Sequence, residues 1–190
     1  SEKVHYMGDW RTIEGRLSPR SLKVVALSGV GDCKDFSVST VAILNALGFK
    51  AQPALVWRGI AFLAPTKALP SYINTNHAIV KATAKDGTIF WVDPTNFVSM
   101  AGGVFPDISQ RPVLVLDSKD PKYENIPKIN FKKSGIRIAD SIVVRDDNIL
   151  GMTGIQTLFG EQAQGATGAA LTHSLKEIEE FVIKGVSGEA

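Results

Sequence analysis

The stretch from residue 31 to residue 48 constrains the fold more than any other part of this chain. Asp32 precedes a run whose apolar side chains recur with the period of an α-helix, namely Phe36, Thr40 (through its methyl group), Ile43, Leu44 and Leu47. An Asp at the N-cap position accepts hydrogen bonds from the first free amides of a helix. Gly48 suits the left-handed position that follows a helix end. The pattern therefore predicts a helix from Cys33 to Leu47.

Another helix and several strands are predicted around it. Ser18-Pro19 has the residue types of an N-cap and a first helical position, which predicts a helix that ends at Ser28. Residues 50–58 are typical of a strand, but Pro53 lacks an amide donor and indicates an edge position or an irregular start. Further strands are predicted at residues 78–83, 88–92 and 113–116.

The composition is that of an ordinary globular chain. Its 190 residues are 44% hydrophobic, and 21 basic against 19 acidic residues give a net charge of +2. This balance gives no reason to propose nucleic acid or an anionic membrane as a partner. No apolar run approaches the roughly 18 residues that a membrane-spanning helix needs, so no membrane span is predicted.

Changes along the chain predict three segments. Residues 1–120 hold the motifs described below and are predicted to form a core domain. Residues 121–133 turn polar and contain prolines, which is typical of a linker. Residues 134–190 are predicted to form a small C-terminal α/β extension that belongs to an adjoining unit.

Within that extension the sequence predicts one strand and one helix. Residues 136–144 alternate weakly as a strand, and residues 145–148 are typical of a turn. Ser174 with Glu177 matches a capping box, which predicts the start of a helix that ends at Gly185.

The single cysteine, Cys33, falls in the first turn of the predicted 33–47 helix. The positive end of the helix dipole favours a thiolate there, and the thiolate is the nucleophilic form of cysteine. One cysteine and three scattered histidines exclude an intramolecular disulfide and offer too few ligands for a metal, so no cofactor is predicted. The alternative is an inert core cysteine, but the flanking Gly, Asp, Lys and Asp predict an exposed polar turn.

A thiol nucleophile needs a base and a group that orients this base, and His77 and Asp93 are the candidates. One begins a predicted strand and the other ends the next, so both fall at the same end of a hairpin. They share a face if a three-residue loop pairs Ala84 with Thr88, whereas a two-residue turn places them on opposite faces. We therefore predict the longer loop, with Gly87 left-handed. His77 and Asp93, each taken alone, are also typical of an ordinary strand end. The prediction of a catalytic site depends on Cys33, His77 and Asp93 together.

These motifs resemble the transglutaminase-like superfamily, and in particular the bacterial transglutaminase-like core of multidomain envelope proteins of unknown function. Gly-Asp-Cys-Lys-Asp at 31–35, Asn-His-Ala at 76–78 and Trp-Val-Asp-Pro-Thr at 91–95 follow the order of the family. Tyr6 and the Arg-Leu-Ser-Pro stretch at 16–19 precede them, as in the family. The resemblance covers about residues 4–120.

The resemblance implies an α+β, papain-like fold, in which the cysteine helix packs on an antiparallel sheet that bears the histidine and the aspartate. It also implies cysteine-dependent amide chemistry. Cys33 would attack the amide carbonyl of a peptide, a protein or another substrate, His77 would protonate the leaving amine, and Asp93 would orient His77. Water or an amine would resolve the thioester, and the motif does not separate a protease or amidase from a transglutaminase-like acyltransferase.

Papain-like enzymes have a Gln shortly before the Cys as an oxyanion donor, whereas Leu27 and its neighbours are apolar. Tyr6 and Trp10 are the candidates for this role, beside the backbone amide of Cys33. The resemblance also suggests further domains in the full-length protein and a periplasmic or cell-envelope location, and it leaves a cytoplasmic one open. The contrasting hypothesis is a non-catalytic binding or scaffolding domain that keeps the fold.

Overall fold

The computed structural model describes residues 4–8, 17–59, 75–98, 106–130, 132–145 and 150–187. These residues form a mixed α+β structure that divides into two compact units between Ile129 and Asn130. The elements of the first unit are β1 (His5–Tyr6), α1 (Leu22–Ser28), β2 (Val30–Gly31), α2 (Cys33–Ala46), β3 (Lys50–Val56), β4 (His77–Thr83), β5 (Ile89–Val92), β6 (Pro112–Val115) and β7 (Lys122–Asn125). Those of the second unit are β8 (Gly135–Val144), β9 (Leu150–Phe159), α3 (Gln164–Thr172) and α4 (Leu175–Ser187).

Helix α2 begins at Cys33 as predicted, and the prediction of its N-cap is confirmed. Asp32 Oδ1 accepts the amide of Lys34 at 2.9 Å, and the Asp35 carboxylate accepts the amide of Asp32 at 2.9 Å, which completes a capping box. Gly48 follows the helix with a φ of +88°, the left-handed conformation expected of it.

The buried side of α2 differs from the predicted apolar stripe. Ile43 and Leu47 are exposed, whereas Asp35 and Ser37 are buried. Asp35 is buried because its carboxylate caps the helix and also pairs with Arg20 at 2.7 Å, which satisfies the charge away from water.

Helix α1 starts later than the predicted Ser18-Pro19. Ser21 Oγ accepts the amide of Val24 at 3.3 Å, so Ser21 is the N-cap. The segment before it is tied to α2 instead of joining the helix, because the Arg20 amide donates to Asp35 at 2.6 Å. The predicted end at Ser28 is confirmed, and Gly29 takes the left-handed conformation.

The sheet of the first unit has five strands in the order β5-β4-β3-β6-β7, with every neighbouring pair antiparallel. One face carries α2, and the prediction that the cysteine helix packs on an antiparallel sheet is confirmed. The contact on this face joins Val41 and Leu44 of α2 to Ala51, Val80 and Ala82. The opposite face is covered by Ile108 and Ile126, which pack on Ala54, Val56, Ile79, Trp91, Val113 and Val115.

Pro53 was expected to indicate an edge position or an irregular start of the strand. The edge position is wrong, because β3 is the central strand of the sheet. The Pro53 carbonyl accepts the amide of Leu116 at 2.9 Å. In an antiparallel strand the nitrogen and the carbonyl oxygen of one residue point to the same neighbouring strand, so the Pro53 nitrogen also faces β6. The pairing of β3 with β6 begins only at the next residue, Ala54. The absent N–H thus falls at the end of a ladder, where it costs little.

The prediction of a linker at residues 121–133 is wrong for its first half. Lys122–Asn125 forms β7, and Ile126 is buried in the core. The Lys81 ammonium in β4 donates to the Glu124 carboxylate in β7 at 2.5 Å, although β3 and β6 lie between the two strands. The sheet must therefore be curled for these two side chains to meet. The segment looks polar because an edge strand of a curled sheet exposes much of its length.

The β4–β5 hairpin has the predicted register. Val80 pairs with Val92 and Thr83 with Ile89, and the Ala84 amide donates to the Thr88 carbonyl at 2.8 Å. Gly87 has a φ of +86°, as the three-residue loop requires.

In the second unit, β8 and β9 form one long antiparallel hairpin. The predicted capping box is present, because the Ser174 amide donates to Glu177 at 2.7 Å and the Glu177 amide to Ser174 Oγ at 3.4 Å. Helix α4 continues past the predicted end at Gly185 to Ser187, and β9 and α3 are elements that the sequence did not predict. Most of the predicted turn at 145–148 lies outside the described residues. In the part of the chain that the structure describes, no helix has the length and apolar character to cross a membrane.

Candidate functional site

The hairpin places His77 and Asp93 together at one end of the sheet. His77 is the first residue of β4, and Asp93 follows the last residue of β5. Their shared face, which the register sets, brings His77 Nε2 to 2.8 Å from Asp93 Oδ2. The Asp93 side chain is fully buried, so the pair is shielded from bulk water.

Asp93 is held by three side chains and one backbone amide. Its Oδ2 accepts from His77 and from Arg58 Nη1, the latter at 2.7 Å. Its Oδ1 accepts from the Thr95 amide at 3.0 Å and from the Thr95 hydroxyl at 2.7 Å. Burial disfavours the ionised carboxylate, but the bonds from His77 and Thr95 outweigh this and lower the pKa of Asp93.

Cys33 approaches His77 from the N-terminus of α2. The Cys33 thiol is within interaction range of the His77 ring, and both this ring and the backbone of Ala78 lower the pKa of the thiol. Because Nε2 of His77 is engaged by Asp93, Nδ1 is the ring nitrogen left to Cys33. The His77 ring therefore interacts with both the Cys33 thiol and the Asp93 carboxylate.

The expected exposed turn around Cys33 is a buried one. Cys33, Asp32 and Asp35 are each less than a tenth exposed. Polar residues are tolerated there because their charges are paired: Lys34 lies 2.6 Å from Asp32 Oδ2, and Arg20 pairs with Asp35. A run of polar residues indicates that their side chains will find hydrogen-bond or charge partners. These partners can be other protein groups, so the turn need not be exposed to solvent.

The charges of this site favour a thiolate facing an imidazolium. Burial raises the pKa of Cys33, but the hydrogen bonds from His77 and the Ala78 amide outweigh it, and the net pKa is lowered. Burial also works against a protonated His77, but Asp93 and Cys33 outweigh it and raise the pKa of His77 to about 9. At neutral pH the histidine therefore holds a proton that it can transfer.

Of the two oxyanion candidates, Tyr6 lies at the site. Cys33 is among the groups that raise the pKa of its hydroxyl, and its ring packs on Phe36 with 6.2 Å between the centroids. Burial and the neighbouring Cys33 and Asp32 raise the pKa of Tyr6, so its hydroxyl stays protonated and able to donate. Trp10 lies outside the described residues, and Leu27 is exposed.

The arrangement brings together a thiol of lowered pKa, a histidine that carries a proton at neutral pH and a tyrosine hydroxyl. The Asp32 side chain accepts hydrogen bonds from the amides of Lys34 and Asp35. It does not accept one from the amide of Cys33, which is the backbone candidate for an oxyanion donor. Among the residues that the structure describes, no group of three or more His, Cys, Asp or Glu side chains is arranged to hold a metal ion.

Arg58 and Thr95 have no counterpart in the prediction from sequence. The contact of Thr95 could have been predicted, because an Asp side chain in a turn commonly accepts a hydrogen bond from the residue two positions later. Arg58 follows Val56, which faces the side of the sheet that carries Asp93, but its contact to Asp93 spans 35 positions in the chain. The pairing of β3 with β4 and of β4 with β5 brings it there.

Comparison with models of protein families, with curated proteins and with solved structures gives no match for this chain. The residues of the site therefore carry the functional conclusion.

Proposed function

We propose that this chain catalyses acyl transfer from an amide through a thioester on Cys33, with His77 as the acid and base and Asp93 as the orienting carboxylate. The observation that carries the proposal is the His77 ring, which lies 2.8 Å from the buried Asp93 carboxylate and lowers the pKa of the Cys33 thiol. A helix N-terminus, a strand start and a strand end supply one member each. This agrees with the transglutaminase-like, papain-like arrangement that the sequence resembles.

The reaction would begin with attack of the Cys33 thiolate on an amide carbonyl. A carbon–sulfur bond forms, and the electron pair of the carbonyl moves onto oxygen. The Tyr6 hydroxyl and the Cys33 amide are suited to donate to this oxyanion. The oxyanion then collapses, the carbon–nitrogen bond breaks, and the proton on His77 Nδ1 passes to the leaving amine.

The second half resolves the thioester. Neutral His77 takes a proton from water or from an amine, which attacks the acyl carbon, and the carbon–sulfur bond breaks. The thiolate and the imidazolium are restored. Water yields hydrolysis and an amine yields a new amide, and both outcomes use the same residues.

Trapping of the acyl-enzyme tests the proposal. The chain is mixed with a library of glutamine-containing and other peptide amides, quenched with acid at early times and weighed intact by mass spectrometry. We expect a mass increase equal to the acyl group, located on Cys33. Cys33→Ala should show no such adduct. His173→Ala, which removes an exposed histidine of the second unit, should behave as the wild type.

Alkylation gives an independent reading. Iodoacetamide should modify Cys33 of the folded chain well below the ordinary thiol pKa of about 8.5. Modification only after unfolding would contradict the proposal and make Cys33 a core residue. Retention of a peptide by both wild type and Cys33→Ala without any adduct would favour the non-catalytic binding domain.

A further inference from the structure

Arg58 connects the candidate site to a second part of the first unit. Its Nη1 donates to Asp93 Oδ2 at 2.7 Å, while its Nε and Nη2 donate to the two oxygens of Asp107 at 2.7 and 2.9 Å. Asp107 lies in the 3₁₀ turn Pro106–Ile108, whose Ile108 is buried in the core. The guanidinium therefore joins two carboxylates, and the one at the site is fully buried.

The backbone around Arg58 is held as well. Its amide donates to Asn76 Oδ1 at 2.7 Å, and its carbonyl accepts from Asn76 Nδ2 at 2.9 Å. Arg111 donates to the carbonyls of Trp57 and Gly59 at 2.9 and 2.6 Å. These bonds and the two-point contact to Asp107 restrict the guanidinium to one orientation.

We propose that Arg58 is a positioning residue of the site, which keeps Asp93 ionised and aligned on His77 at every stage of the reaction. This inference rests on the proposed function. Arg58 and His77 donate to the same oxygen of Asp93. When His77 gives its proton to the leaving amine, the ring becomes neutral and a buried carboxylate loses one of its two cations. Arg58 remains charged throughout, so the carboxylate stays paired.

A purely structural role for Arg58 makes a different prediction. As a brace between Asp93 and Asp107, it would affect stability and leave the proton affinity of His77 unchanged. As a charge on the oxygen that His77 contacts, it must oppose protonation of His77, so its removal must raise the pKa of that ring. Of the residues that the structure describes, Cys33 and Tyr6 face this pair with Asp32 beside them, and Asp107 partly offsets the charge of Arg58.

The experiment is a pH titration of the His77 ring by ¹⁵N NMR in the full chain. Arg58→Met should raise the midpoint of His77 by roughly one pH unit, since a unit charge a few ångströms away is removed. Arg58→Lys, which keeps the charge, should restore most of the wild-type midpoint. The control is Lys81→Met, which breaks the ion pair with Glu124 on the same sheet and should leave the midpoint unchanged. An unchanged midpoint in folded Arg58→Met would overturn the proposal.

A measurement on the wild type decides the matter if Arg58→Met does not fold. The Nη resonances of Arg58 should be resolved, as for a guanidinium held on both sides, and should shift with the same midpoint as His77. A single averaged Nη resonance, with a chemical shift that does not change as His77 titrates, would overturn the proposal. None of these readings requires turnover. If no acyl-enzyme forms but Arg58 still affects the titration of His77, the proposed reaction is contradicted. The contact between Arg58 and the His77–Asp93 pair is then still supported.

Discussion

His77 Nε2 and Asp93 Oδ2 lie 2.8 Å apart although 16 positions separate the two residues in the chain. The three-residue loop that closes the β4–β5 hairpin produces this contact, because it sets a register in which both side chains emerge on one face. A register slip of one residue would turn one of them to the opposite face. The contact, and with it the orientation of the histidine toward Cys33, is therefore a property of the hairpin.

Replacement of His77 should raise the pKa of the Cys33 thiol. In His77→Ala the largest influence that lowers this pKa is absent, while burial and the nearby Asp32 still raise it. We expect the midpoint of alkylation to move to about 8.5 or above, and the rate at pH 6.5 to fall about tenfold for each pH unit by which the midpoint rises. Iodoacetamide rates measured across pH by intact mass spectrometry check this, with His173→Ala as the control. An equal rate in His77→Ala and wild type at pH 6.5 would contradict the influence of His77 on the pKa of the thiol.

Thr95→Val should destabilise the first unit in a pH-dependent way. Two groups of Thr95 donate to Asp93 Oδ1, and the substitution removes the hydroxyl at 2.7 Å. The lowered pKa of Asp93 means that its stabilisation is present above the unfolded-state value of about 3.8 and is lost as the pH falls through the folded-state pKa.

We therefore expect a loss of about 1.5 to 3 kcal/mol in the free energy of unfolding at pH 7, which shrinks in acid. Urea unfolding followed by tryptophan fluorescence reports the first unit, because all three tryptophans precede residue 130. A loss that is the same at pH 3 and pH 7 would show that Thr95 acts through packing.

Two substitutions of Asp32 should separate its charge from its role as a cap. Asp32→Asn keeps an acceptor for the helix amides and removes a negative charge that raises the pKa of Cys33, so the alkylation midpoint should fall. Asp32→Ala removes the cap as well and should cost about 1 kcal/mol in the free energy of unfolding. Alkylation rates and urea unfolding, measured on both variants, give the two readings. A midpoint that rises in Asp32→Asn would contradict the assigned charge effect.

Tyr6→Phe should slow acylation without loosening the fold. The ring keeps its packing on Phe36, but the hydroxyl beside Cys33 is lost. Loss of one oxyanion donor lowers the rate of acyl-enzyme formation by about a hundredfold or more. Single-turnover acylation measures this rate, and the urea midpoint should match the wild type, because the Tyr6 side chain is half exposed. Unchanged acylation would remove Tyr6 from the oxyanion role.

The elements that were predicted well are those coded by neighbouring residues. The cap at Asp32, the left-handed Gly48 and Gly87, and the loop that pairs Ala84 with Thr88 each depend on a few consecutive side chains. Local sterics and hydrogen bonding suffice to specify such features. The shared face of His77 and Asp93 follows from the last of them by alternation along the strands.

The predictions that failed concern environments set by distant parts of the chain. Pro53 lies in a central strand because β6 ends beside it, and Lys122–Asn125 is a strand because β6 offers it a partner. Cys33 is buried in a polar turn in part because Arg20, 15 positions before Asp35 in the chain, pairs with the carboxylate of that residue. None of these partners can be identified from the local pattern alone.

The sequence by itself determined which residues have the chemistry and on which elements they stand: a thiol that opens a capped helix, and a histidine and an aspartate on one face of a hairpin. Only the tertiary structure decided that these side chains meet, that Tyr6 lies at the sulfur, and that Arg58 shares the oxygen of Asp93 with His77. The physical reason is the range of the interactions. Capping, turn conformation and strand alternation act over a few residues. Burial and charge pairing depend on contacts such as that of Arg58 with Asp107, 49 positions away, which form only when the sheet is complete.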